Sequence, residues 1–150
     1  MRVPMRRMAC VFIVSMASPW SSGEALALTE GKTAQREAYV SGGVALAERE
    51  ALDKRRAGFS LWVATAEKAS GSYLADARVK ISDEAGKTVL DLKLDGPWLL
   101  VNLKLGRYTV DVSFGKQTQR KTTTIHRDDH HAMLFYFDVV AETLPPSAKG

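Results

Sequence analysis

The sequence predicts an all-β fold, an antiparallel β-sandwich preceded by a signal peptide and one short helix. Three observations carry this. From Gly58 onward, apolar residues recur at every second position in five separate runs, the pattern of strands with one face in a core and one in water. Ser70-Gly71-Ser72, Asp83-Glu84-Ala85-Gly86, Asp95-Gly96-Pro97, Gly106 and Gly115 separate the runs, a spacing typical of antiparallel sandwiches. No stretch after Gly58 has a helical period.

Arg2, Arg6 and Arg7 precede an apolar core, Met8 to Ala17, which is followed by Pro19 and by Ala25-Leu26-Ala27. This order predicts a secretory signal over 1–27, cleaved after Ala27, and hence a periplasmic or secreted protein. The core is half the roughly 20 residues that a membrane-spanning helix needs, so the mature chain is expected to carry no integral membrane segment. Cys10 lies inside the apolar core, so no disulfide is expected in the mature domain. Leu28 to Gly150 carries 18 Lys/Arg and 16 Asp/Glu, a net charge of +2. The basic balance of the whole chain partly reflects the signal, and no nucleic-acid role follows from it.

Residues 28–42 show no periodicity and are expected to be a flexible lead segment. Good helix formers then fill 43–57, with Ser41 as the expected cap region and Gly58 as the stop. The apolar face of this helix, Ala45, Leu52 and Leu46, is thin, so it is expected to lie on the sandwich. The sandwich itself is assigned to 58–140. Its alternating positions are Phe59/Leu61/Val63, Ala77/Val79/Ile81, Leu90/Leu92/Leu94, Tyr108/Val110/Val112/Phe114 and Met133/Phe135/Phe137/Val139. Lys116 to Thr124 is strand-prone and polar on both faces, which suits a protected edge strand. The tail 141–150, with Pro145 and Pro146, is expected to be disordered.

Three segments carry a family resemblance: Y-L-A-D-A-R-V-K-I-S-D-E-A-G-K (73–87), L-D-G-P-W-L-L-V-N-L (94–103) and L-G-R-Y-T-V-D-V-S-F-G-K-Q-T-Q-R (105–120). They resemble the carboxypeptidase regulatory-like domains, and in particular small secreted proteobacterial proteins of that type. The resemblance covers about residues 43 to 139. It implies a seven-stranded antiparallel Greek-key sandwich of the transthyretin-like class, and says almost nothing about activity. Hydroxyisourate hydrolases resemble transthyretin but end in Tyr-Arg-Gly-Ser and carry histidines on early strands. This sequence ends L-P-P-S-A-K-G and has no histidine before His126, so that activity is not expected.

Two constellations remain. His126, His130 and His131 lie in H-R-D-D-H-H with Asp128 and Asp129. Imidazole and carboxylate are metal donors, and across a hairpin ladder His126 would face His130 or His131. The spacing matches no established zinc pattern, and a polar turn is the simpler reading. Trp62, Trp98 and Tyr136 would contact a sugar or a partner if exposed together. Large aromatics are mostly buried, so cover by the second sheet or by the helix is the competing expectation.

Paired acids (Asp83-Glu84, Asp128-Asp129) and scattered serines supply no nucleophile motif such as G-x-S-x-G. Phosphate loops and cofactor motifs are absent from the sequence. The reading is a non-enzymatic envelope protein with no cofactor, acting on an unidentified envelope protein partner or supporting the envelope. A carbohydrate- or metal-binding module is the first alternative, and a small hydrolase the second.

Overall fold

A computed structural model describes residues 26–139. Most of the expected signal peptide, and the tail 141–150, lie outside the described residues. The described chain is mostly β, with nine strands, one α-helix and two sheets. The strands are β1 (Thr29–Lys32), β2 (Ala38–Gly42), β3 (Leu61–Glu67), β4 (Arg78–Asp83), β5 (Thr88–Lys93), β6 (Trp98–Val101), β7 (Gly106–Phe114), β8 (Gln117–Ile125) and β9 (His131–Phe137). Helix α1 (Leu46–Arg55) runs into a 3₁₀ turn over Arg56–Gly58. One sheet has the order β1-β2-β6-β3-β9 and the other β5-β4-β7-β8.

The two inner faces share one core. Leu61, Val63, Val79, Val110, Phe135 and Phe137 are fully buried in it, each at a position the alternation predicts. Strand β6 is buried at all four residues. Leu99 and Val101 join the main core, while Trp98 and Leu100 face the opposite way into a second cluster with Val40, Leu52, Phe59 and Ala64. That second cluster lies beneath α1. A strand covered on both faces has a continuous apolar run in place of alternation, as W-L-L-V does.

Four expectations need correction. There are nine strands, not seven. The two additional strands are β1 and β2, in the 28–42 segment expected to be a flexible lead: they pair with each other, and β2 pairs with β6. Periodicity missed them because β1 is four residues long and β2 is buried toward its end at Val40, Ser41 and Gly42. The pairing is also not wholly antiparallel, since β9 runs parallel to β3, from Leu61↔His131 to Glu67↔Phe137. Phe59 joins the cluster under α1, because the 3₁₀ turn sets it before β3 begins and breaks the alternation with Leu61 and Val63.

The helix sits within the expected 43–57 range, but Ser41 does not cap it. Ser41 is buried in β2 with its hydroxyl unpartnered. The chain entering the helix is held instead by Glu48, three residues past the N-cap Ala45, whose carboxylate accepts the N–H groups of Gly43 (3.1 Å), Val44 (2.9 Å) and Ala45 (3.4 Å). Glu48 is only 6% exposed and Gly43 is itself buried, so the Gly43 N–H has few alternatives in water. Glu48→Ala is therefore expected to cost about 1–3 kcal/mol, the range for orphaning buried donors. Chemical denaturation measures it, and a loss below about 0.5 kcal/mol would contradict this capping role. Leu52 is the one buried apolar side chain of α1, which agrees with the thin apolar face read from the sequence.

The flank between β8 and β9 is closed by side chains. Gln117 donates to the Asp138 carbonyl at 2.6 Å, while Gln119 and Lys121 donate to the carbonyls of Tyr136 and Leu134. The polar strand Lys116–Thr124 thus occupies an edge, as expected, and satisfies the exposed edge of its neighbour in the other sheet.

Candidate functional site

Some of the residues singled out in the sequence, His130, His131 and Trp62, meet at one end of the helix-covered sheet. Strand β8 belongs to one sheet and β9 to the other, so His126 to His130 form a corner between sheets. No ladder sets His126 opposite His130 or His131, contrary to the hairpin expectation. Asp128 takes a positive φ of 61° at this corner, a conformation that Asp tolerates better than most residues. Asp129 ties the corner together: its carboxylate accepts the His126 N–H at 2.6 Å and lies 3.1 Å from His131 Nε2.

Those contacts hold the Asp129 carboxyl below its ordinary pKa. The backbone bond from His126 is the larger cause and the His131 side chain the next. A depressed carboxylate stabilises the fold above its unfolded pKa of about 3.9, and that contribution is lost as pH falls through the lower folded value. Acidification below about pH 4 is therefore expected to loosen the corner. The His126 amide should lose hydrogen-exchange protection there, and Asp129→Asn should remove this acid-dependent step. A His126 amide indifferent to pH in both proteins would contradict the assignment.

His130 is placed differently. Its Nδ1 lies 2.8 Å from the Phe59 carbonyl, which can only accept, so Nδ1 carries the proton. In the neutral ring Nε2 then holds the lone pair. His130 and His131 line a cleft of about 330 Å³ together with Asp53, Arg56, Phe59 and Trp62. Arg56 lies over the Trp62 ring, 4.2 Å from its centroid, and pairs with Asp53 at 3.0 Å. Two of the three expected metal residues thus share a cleft with one of the three expected aromatic contacts. Among the described residues, no three His, Cys, Asp or Glu side chains gather as a metal-holding group.

The aromatic residues do not form one platform. Trp62 and Trp98 meet edge to face at 4.9 Å under α1, and Trp98 is 7% exposed. Trp98 is thus buried, in the cluster that holds Leu52 of α1, and for this residue the competing expectation of cover is met. Tyr136 is 46% exposed and pairs with Ala66, four residues along β3 from Trp62, which is about 13 Å at strand rise. Trp62 is only half-buried, lines the cleft and carries Arg56 over the face of its ring.

A neighbouring cleft of about 220 Å³ brings Ser60 close to His126, His130, Asp128 and Asp129, the company a hydrolase would need. The Ser60 hydroxyl is otherwise engaged. It accepts the Leu103 N–H at 2.9 Å and donates toward the Val101 carbonyl at 3.4 Å. The Ser60 carbonyl accepts the His131 N–H at 2.8 Å, but among the described residues the Ser60 hydroxyl bonds no histidine ring, so the nucleophile–base contact that activates a serine is not formed.

Sequence reasoning missed Arg56 and Asp53. Both read as part of a solvated helix face, and only the 3₁₀ turn carries Arg56 over Trp62. No protein-family model matches the chain, and no curated protein matches it either.

Proposed function

We propose that this chain is an exported, non-enzymatic domain that acts by holding a protein partner in the cell envelope, through the cleft of Arg56, Trp62, His130 and His131. The observation that carries this is the convergence itself. An arginine stacked on a tryptophan and an imidazole with one nitrogen free surround an open cleft, and the nearest serine is committed to backbone. Arg and Trp are the side chains most enriched at interaction hot spots. Export is supported by the start of the fold. Leu26 and Ala27 are exposed and without secondary structure, and β1 begins at Thr29, so cleavage after Ala27 leaves every strand intact. The finer fold reading, a Greek-key sandwich of the transthyretin-like class related to carboxypeptidase regulatory-like domains, is supported by two sheets enclosing one core and by the D-G-P turn before β6.

Arg56 is on the surface side of Trp62, so Arg56→Ala leaves the core in place. It is expected to reduce partner recovered from an envelope extract at least about tenfold, the scale of a 1–2 kcal/mol hot spot, with the melting temperature unchanged. Recovery equal to that of the unaltered protein would place the contact elsewhere.

A further inference from the structure

Among the described residues, no other element covers the outer face of the β5-β4-β7-β8 sheet, and its charges are unevenly matched. It presents Arg78 and Lys80 from β4, Asp91 and Lys93 from β5, Arg107 and Asp111 from β7, and Arg120 from β8. That is five cations against two carboxylates. The surplus of three exceeds the net +2 of the whole chain beyond Ala27, so the rest of that chain carries no positive excess. Both carboxylates are already neutralised. Arg78 bonds Asp91 at 2.8 Å, and Arg120 bonds Asp111 at 2.6 and 3.2 Å. Lys80, Lys93 and Arg107 form no ion pair among the described residues.

The arrangement is directional. Arg78 stands opposite Ser113, and Lys80 opposite Asp111, which stands opposite Arg120. Arg107 lies six residues from Ser113 along β7, so the cations span about 20 Å at strand rise. A shallow depression of about 510 Å³ lies toward the Arg107 end of the stripe, where Lys80, Arg107, Arg120 and its partner Asp111 are interleaved with Ser82, Thr109 and Thr122. Asp83 and Glu84 stand at one rim, and Asp83 is tied to the Lys87 N–H of its own turn at 2.9 Å.

We infer that this face binds a linear anionic polysaccharide. Charge complementarity selects a polyanion, and the length of the stripe selects an extended one. The remaining outward side chains include Ser82, Thr88, Thr109, Ser113, Thr118, Thr122 and Thr124, hydroxyls suited to a sugar chain. The face has no apolar or aromatic side chain to enter a bilayer interface or to stack on bases, which sets lipid and nucleic acid aside. This surface is separate from the helix-side cleft and does not depend on the function proposed for it.

Polygalacturonate, with neutral pullulan as control, tests the inference on the purified chain at 50 and 200 mM salt. Polygalacturonate alone is expected to bind, with affinity falling as salt rises. Lys80→Ala/Arg107→Ala should weaken binding at least about tenfold at the lower salt, while Lys80→Arg/Arg107→Lys should retain it. Circular dichroism confirms that both variants are folded. Absence of polygalacturonate binding, equal binding by the alanine variant, or equally tight binding to phosphatidylglycerol vesicles or to DNA would each overturn the proposal.

Discussion

Gly96→Ala is expected to destabilise the chain by more than about 3 kcal/mol, beyond the usual cost of overpacking. A Cβ on Gly96 would lie 2.3 Å from both the carbonyl carbon and the oxygen of Gly42. The obstacle is backbone, which cannot rotate away as a side chain does. Gly42 is itself paired with Trp98 across β2 and β6, so relieving the overlap means separating those strands. Beside them Pro97 accepts the Thr65 N–H at 3.1 Å, so a shift of the turn also disturbs β3. Urea denaturation measures the effect. A cost under about 1 kcal/mol would show that the turn does not press on Gly42 as described.

Tyr108→Ala is the second large effect, at about 3–5 kcal/mol, the range for aromatic truncation in a core. Tyr108 is 2% exposed and packs in the main cluster. Its hydroxyl donates to the Lys104 carbonyl at 2.9 Å, four residues upstream, and lies 3.2 Å from the Gln35 side chain. A tyrosine bonding back across a corner is a device known in sandwich domains. Here it also links the corner to the β1–β2 turn. Tyr108→Phe separates the contributions: it keeps the ring and should cost about 1 kcal/mol, the net worth of the hydrogen bond. If Tyr108→Phe cost as much as Tyr108→Ala, the bond and not the packing would dominate.

The strands that alternate cleanly were legible because each has one dry and one wet face. Val79 and Ile81, or Val110 and Val112, are buried while Arg78, Lys80 and Arg107 are exposed, and the sequence alone separates them. The helix was legible from its formers, and its role as a lid from a single strong anchor, Leu52. What was not legible depends on contacts distant in sequence. Strand β2 owes its order to β6, nearly sixty residues away, and carries no signal of its own. The parallel alignment of β9 with β3 follows from a crossover between sheets, which the polar corner His126–His130 does not announce. The candidate site was half legible. The histidines and Trp62 were singled out separately, but their shared cleft depends on that same parallel pairing, which sets Trp62 opposite Ala132, one residue from His131. Arg56 gave no signal, because a charge near a helix end is ordinarily solvated.

The proposed partner contact lies at the cleft between the 3₁₀ turn and the start of β9. Site-specific photo-crosslinking in the envelope tests it most directly, with the probe at Ala57, exposed on the rim of the cleft. A second probe at Lys87, exposed in the β4–β5 turn, serves as the reference. A discrete protein adduct is expected from position 57, disappearing with Arg56→Ala, and none from position 87. Adducts of equal yield from both positions, or an adduct from 87 alone, would contradict it.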